Sequence, residues 1–358
     1  MSLNDRTAVH RPAQALNICL HVGQIPNRDS TLTHVDVKPL AGASGGEHLD
    51  SEDRAADSSG ARVIGAEISG VDISSPLSED IVTRLRQALL EHLVIFFRDQ
   101  RLDPQQLLAF ARQFGEPMAY PQLTGLPGYP LVTPVIKHEH ETRNFGGVWH
   151  SDTAYLERPP MGSVLYALET PPTGGDTLFA NQYLAYETLP ADIRNKVDAL
   201  VGINSSAKAE ASRTREDRQR DAGDQLKVLV ARHPVVRTHP ETGRKSLYVN
   251  IGHTTHFEGW TESESADLLA MLFDHQIRPE FICRFHWQPG SLAFWDNRCT
   301  LHYPLNDYHG YRRVMLRWRA TSRADAATLT LPNHRNGRAA GKALPCMMLA
   351  PVKKLRAV

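Results

Sequence analysis

The sequence has no surplus of charge: 40 lysines and arginines stand against 40 aspartates and glutamates in 358 residues. A general binder of nucleic acid or of a membrane surface needs a large basic excess. Neither partner is therefore expected, although a balanced total leaves room for a local cluster of one sign. Cysteine is scarce. Cys19, Cys283, Cys299 and Cys346 are scattered with no C-x-x-C pair, which excludes a disulfide framework or a zinc knuckle and favours a reducing compartment. Long apolar runs are missing as well, and nothing approaches the roughly 20 residues of a membrane span. The apolar stretch at 15–22 is broken by Asn17 and His21 and lacks the cleavage site of a signal peptide. The cytoplasm is the expected location.

What is present is enough for a substantial core, with 41% apolar and 7% aromatic residues. The first 62 residues read as a poorly structured extension, since 41–62 is rich in Gly, Ser, Ala and acids and has no apolar periodicity. A compact domain is expected over 63–325, followed by a tail at 326–358. Early in the domain, Ser78 caps a helix whose stripe is Ile81, Leu85, Leu89, Leu90 and Leu93. The run 94–97 reads as a buried strand. Asp103-Pro104-Gln105-Gln106 supplies a cap, a proline at the first helical position and a capping-box glutamine for a helix to about residue 114. Thr261 to Glu264 is a second capping box, opening a helix to about residue 278. Beyond residue 149 short strands with Gly and Pro turns dominate, at 163–168, 177–180, 246–250, 282–287, 291–295 and 311–321. The expectation is a mainly β fold, a sandwich or barrel with flanking helices. The charged segment 205–227 reads as a solvated insertion or a lid over a site.

His-x-Asp occurs three times, at His34/Asp36, His48/Asp50 and His150/Asp152. The first two lie in or beside the unpromising leader. At the third, residues i and i+2 of an extended segment share a face, so an imidazole and a carboxylate would stand side by side. That is two-thirds of a 2-His-1-carboxylate facial triad for iron. The third ligand must come from a distant strand. His302 follows one strand-like run and precedes another, but His138, His140, His233, His239, His253, His256, His275, His286 and His309 compete, and spacing alone does not choose. In 311–321, alternation sets Val314, Leu316 and Trp318 on one face and Arg313, Met315, Arg317 and Arg319 on the other. Such a file of arginines belongs on a solvated edge strand or on a face that meets anions, where guanidinium groups bind carboxylates in bidentate fashion.

Several segments occur in one order and at one spacing: Trp149-His150-Ser151-Asp152, the turn from Pro171 to Thr177, Trp295-Asp296-Asn297-Arg298 leading to His302, and then Arg313 and Arg317. With 65–77 and Phe114-Gly115-Glu116, they resemble the taurine dioxygenase / 2,4-dichlorophenoxyacetate dioxygenase family over roughly 63–322. The resemblance implies a double-stranded β-helix, or jelly-roll, core and an enzyme using Fe(II), 2-oxoglutarate and O2. It assigns iron to His150, Asp152 and His302, the far carboxylate of 2-oxoglutarate to Arg313 with Thr177, and the anionic group of a small organic substrate to Arg317. Tyr120, Gly146 and Thr153 are implied as further substrate contacts, Arg312 should point away, and a homo-oligomer is implied. The reaction would be hydroxylation coupled to release of succinate and carbon dioxide, with fragmentation where the hydroxylated carbon bears a sulfonate, ether or sulfate ester. Tyr120 and Gly146 depart from the histidine and asparagine of taurine-cleaving members, so the expected substrate is another, larger or more apolar anion. A zinc hydrolase and a catalytically silent jelly-roll binding protein are the alternatives.

Overall fold

The computed structural model describes residues 35–40, 64–121, 123–208 and 228–321. Most of the N-terminal extension, the charged stretch from 209 to 227 and the C-terminal tail lie outside the described residues. In chain order the strands are β1 (Asp36–Pro39), β2 (Ala66–Ser69), β3 (Val94–Phe97), β4 (Glu116–Pro117), β5 (Thr133–Lys137), β6 (Gly162–Glu169), β7 (Thr177–Asn181) and β8 (Val201–Ser205). They continue with β9 (Val230–Pro234), β10 (Val236–Thr238), β11 (Lys245–Leu247), β12 (Thr254–Phe257), β13 (Ile282–Phe285), β14 (Leu292–Asp296), β15 (Thr300–Pro304) and β16 (Arg313–Thr321). The fold is mainly β, with helices at its flanks.

One large sheet runs β1-β2-β3-β14-β6-β16-β4, with β5 also paired to β16. A second sheet runs β13-β7-β15. Along the central strands of the large sheet, successive side chains enter two different cores, as the two-residue period of a strand requires. Ile95, Phe97, Val164, Tyr166, Leu292, Phe294, Leu316 and Trp318 pack with helices α1 (Glu79–His92) and α2 (Pro104–Arg112). Phe96, Leu165, Ala167, Ala293, Trp295 and Met315 pack instead with Phe179 of β7 and with Cys283 and Phe285 of β13. Both faces are covered, which is why 94–97 is a continuous apolar run rather than an alternating one.

The caps read from sequence are in place. Ser78 accepts from the Ile81 amide at the start of α1. Complete capping boxes open α2 at Asp103 and the helix Glu262–Gln276 at Thr261. Both of the latter helices stop two residues short of the expected ends. One departure lies inside the extension: β1 pairs antiparallel with β2, Asp36 opposite Ser69. All four of its residues are exposed, so main-chain pairing holds this strand and no apolar pattern announces it. The strand carrying the arginines is no solvated edge. It has β6 on one side and β5 and β4 on the other, and its arginines are buried between the two sheets. Among the described residues no helix is long and apolar enough to cross a membrane.

Candidate active site

His150 and His302 face one another across an isolated antiparallel bridge and exchange both main-chain bonds, His150 N to His302 O at 3.1 Å and His302 N to His150 O at 2.9 Å. That pairing sets their imidazoles 4.1 Å apart, centroid to centroid. Asp152, two residues beyond His150, brings a carboxylate oxygen to 3.8 Å from His150 Nε2. One ligand atom from each of the three lies within 4.8 Å of the other two, and all three residues are buried. His150 Nδ1 stands 2.7 Å from the Val148 carbonyl. Its proton is donated there, which leaves the Nε2 lone pair for the site. Burial, with His150 second, drives the His302 imidazole well below its ordinary value, so it stays neutral and can act as a ligand. Burial alone would raise the Asp152 carboxyl, but the guanidiniums of Arg317 and Arg319 outweigh it and hold the group well below the carboxylate range.

The two histidines open onto a cavity that also receives Thr177, Arg313 and Arg317, with Phe145 and Trp295 among its apolar walls. Thr177 begins β7, and its hydroxyl accepts from Trp287 Nε1 at 2.9 Å, leaving its own proton free to donate. Arg313 is 4% exposed. Its Nε and Nη2 have no acceptor among the described residues, a costly arrangement for a buried cation unless an anion binds there. Arg317 contacts the Asp152 carboxylate, and its Nη2 lies 3.0 Å from His302 Nε2. Burial pushes Arg317 down to about 10, against the pull of Asp152. Arg312 turns away and pairs with Glu169.

A second buried group, His239, Asp296 and Cys299, also has donor atoms close enough for a metal. It is already satisfied. His239 Nδ1 accepts the Glu241 and Thr242 amides, so Nε2 carries the proton and donates to Asp296 at 3.0 Å. Arg298 takes the same carboxylate through Nε and Nη2, and burial, then Asp296, raise the Cys299 thiol well above its ordinary value. Neither nitrogen of His239 has a lone pair left for an ion, and the Cys299 thiol stays protonated. The neighbouring Asn297 serves the first site instead: it accepts from Trp295 Nε1 and donates to Ser163 Oγ, which donates to Asp152.

The profile of the family described as "Taurine catabolism dioxygenase TauD, TfdA family" matches residues 52–319. The chain belongs to the TauD/TfdA dioxygenase family. It is 37% identical over 262 residues to an alkylsulfatase of Acinetobacter baylyi, covering 71% of this chain and 81% of that one. An alpha-ketoglutarate-dependent sulfate ester dioxygenase of Pseudomonas putida is 35% identical over 71% of this chain and 85% of its own. Among solved structures, a taurine dioxygenase from Burkholderia xenovorans superposes with a TM-score of 0.63 at 37% identity, over 80% of this chain and 91% of that one.

The TauD/TfdA family uses iron(II) as cofactor and 2-oxoglutarate and O2 as co-substrates, and the residues here fit them. Two imidazoles and an ionised carboxylate form the donor set of a facial iron site. Arg313, short of acceptors on the cavity wall, suits a dicarboxylate. Tyr120, Gly146 and Thr153, expected as substrate contacts, are not among the residues that line the cavity. The Tyr120 hydroxyl meets that of Tyr155 at 3.2 Å, and its ring packs on Phe145 at 6.2 Å. A Cβ built at Gly146, where φ is +75°, would sit 3.0 Å from His150 Cε1. Thr153 is buried at φ 47°, an uncommon backbone for a β-branched residue, and its hydroxyl has no partner among the described residues. Sequence reasoning gave no role to Ser163, Asn297 or Arg319. Asn297 lay in a motif already singled out and Arg319 in the arginine file, but nothing local marks Ser163 as the partner of Asp152.

Proposed function

We propose that this chain is a dioxygenase that hydroxylates the carbon bearing the ester oxygen of an alkyl sulfate, and that its core is a double-stranded β-helix. The observation that carries the reading is a cavity lined by His150 and His302, with Asp152 beside them, and by two arginines of a single strand, one of which has two guanidinium nitrogens with no acceptor among the described residues. Bound iron(II) would couple O2 to the decarboxylation of 2-oxoglutarate, giving succinate and carbon dioxide. His150, Asp152 and His302 would hold the metal. Arg313 and the Thr177 hydroxyl would take the far carboxylate of 2-oxoglutarate and fix its orientation. Arg317 would take the anionic head of the substrate, and anchoring it decides which C–H bond faces the metal. A carbon carrying both hydroxyl and sulfate collapses to an aldehyde and hydrogen sulfate, so hydroxylation is also cleavage. The two sulfate-ester relatives and the changes at Tyr120 and Gly146 favour such a substrate over taurine.

The test is a screen of alkyl sulfates, sulfonates and aryloxyalkanoates scored by succinate and aldehyde release. Alkyl sulfates are expected to be turned over best. Anaerobic Fe(II) and 2-oxoglutarate should give a weak visible charge-transfer band that is absent in His150→Ala. No band and no succinate with any of these anions would end the proposal.

A further inference from the structure

We propose that Arg319 is a second anchor for the substrate's head group, and that Arg317 and Arg319 together select a tetrahedral head with three terminal oxygens over a planar carboxylate. The inference rests on the function proposed above and adds to it the basis of head-group choice.

Arg319 lies two residues beyond Arg317 on β16, so the two side chains share a face, opposite Ser163 and Leu165 of β6. It is 2% exposed, and its Nε and Nη2 have no hydrogen-bond acceptor among the described residues. The Nε of Arg317 has none either. The Arg319 guanidinium stacks 4.2 Å over the ring of Tyr120, which packs on Phe145 of the cavity wall. A cation over a tyrosine face is stabilised without spending an N–H, so the donors stay available. Among the described residues only one carboxylate, that of Asp152, serves both arginines. Arg317 contacts one oxygen of Asp152, which Ser163 also uses, and Arg319 Nη2 is 3.6 Å from the other.

The anion supply is therefore too small. Once Asp152 gives an oxygen to a metal, at most one oxygen remains for two buried guanidiniums and a serine hydroxyl. A buried cation without an acceptor carries a large desolvation cost, so the pocket favours a ligand that brings several acceptors at once. A carboxylate brings two oxygens, and one guanidinium satisfies both in bidentate fashion, leaving Arg319 unpaired. A sulfate ester brings three terminal oxygens, two for Arg317 and one for Arg319.

The test measures binding, with no turnover. The full chain is loaded with Mn(II) and N-oxalylglycine, an unreactive analogue of 2-oxoglutarate, and titrated in a calorimeter with hexyl sulfate and with heptanoate. Wild type is expected to prefer hexyl sulfate by at least about tenfold, and Arg319→Gln to lose that preference through a weaker sulfate Kd, with heptanoate shifted less than about threefold. Arg319→Lys, which keeps the charge without the fork, should recover part of the preference. If Arg319→Gln does not fold, Tyr120→Leu removes the stacking platform and should erode the same preference. Equal weakening of both anions in the variants, or no change in either, would overturn the role. A loss of Mn(II) affinity that accounts for the sulfate effect would do the same, because Arg319 would then act through Asp152. A wild type that binds neither anion in this form, and that releases no succinate from hexyl sulfate when given Fe(II), 2-oxoglutarate and O2 in a separate assay, would remove the sulfate-ester function itself, whereas a functioning wild type with an unaltered preference in the variants would remove only the part given to Arg319.

Discussion

Arg313 offers the cavity two guanidinium nitrogens that find no acceptor among the described residues. Burial lowers its pKa but leaves it a cation, so a dicarboxylate that pairs with it gains both charge and geometry. Removing one partner of a buried charge pair costs about 3–5 kcal/mol. Arg313→Ala should accordingly raise the Kd for 2-oxoglutarate by two or more orders of magnitude, read by calorimetry on the Mn(II)-loaded protein; an unchanged Kd would remove Arg313 from that role. Gly146 makes a sharper single-residue case. Its φ of +75° already penalises a side chain by about 1–2 kcal/mol, and a new Cβ would meet the His150 ring at 3.0 Å. Gly146→Ala is expected to weaken Mn(II) binding by about tenfold as well as to destabilise the fold. Gly243→Ala is the control, since Gly243 has a similar φ of +69° but nothing within 4 Å of a new Cβ. It should lose stability and keep its metal affinity.

Among the elements, β16 carries two cores and the cavity at once. Leu316 and Trp318 face the helices, Met315 faces the second sheet, and Arg313 and Arg317 reach the cavity from that same side. The helices on the far face serve the site only by supporting this sheet. In α2 the Asp103 side chain accepts from the Gln106 amide at 2.7 Å, and the Gln106 side chain accepts from the Asp103 amide at 2.9 Å. Asp103→Ala should cost about 1 kcal/mol of stability in urea denaturation while Mn(II) affinity stays as it was. A matching loss of metal binding would show that α2 is coupled to the cavity through the sheet. These caps were legible because a capping box spans four consecutive residues. The strand β1 was not, because its exposed side chains leave no apolar mark.

For the molecule as a whole, acid sensitivity should owe a measurable part to His233. Its ring is buried, with Nε2 at 2.9 Å from the Leu156 carbonyl, and burial, helped by Arg237, pushes its pKa down to about 4. The unfolded chain titrates near the ordinary value of about 6.5, so between those two values it binds more protons than the native state. The contribution is full above pH 6.5 and is lost as the pH falls through about 4. It amounts to roughly 3 kcal/mol at most, at 1.36 kcal/mol per unit. His233→Gln, whose amide can still donate to Leu156, should flatten that part of the stability-against-pH curve. An unaltered slope from pH 6.5 to 4 would assign the acid sensitivity elsewhere.

Local signals in the sequence determined the element types, the helix caps, the mainly β character and a short set of chemically apt residues. Those signals span a few residues and follow from backbone sterics and the two-residue period of a strand. Family resemblance named His302 among the competing histidines, yet only the tertiary structure placed it opposite His150, joined by two main-chain bonds across 152 positions of sequence. It also decided that the arginine file is buried rather than solvated, that His239 and Asp296 belong to a closed network, and that Ser163 and Arg319 share Asp152 with the site. Each of these depends on which strands become neighbours. Strand pairing is a long-range choice made by the packing of two cores, and no local pattern of residues contains it.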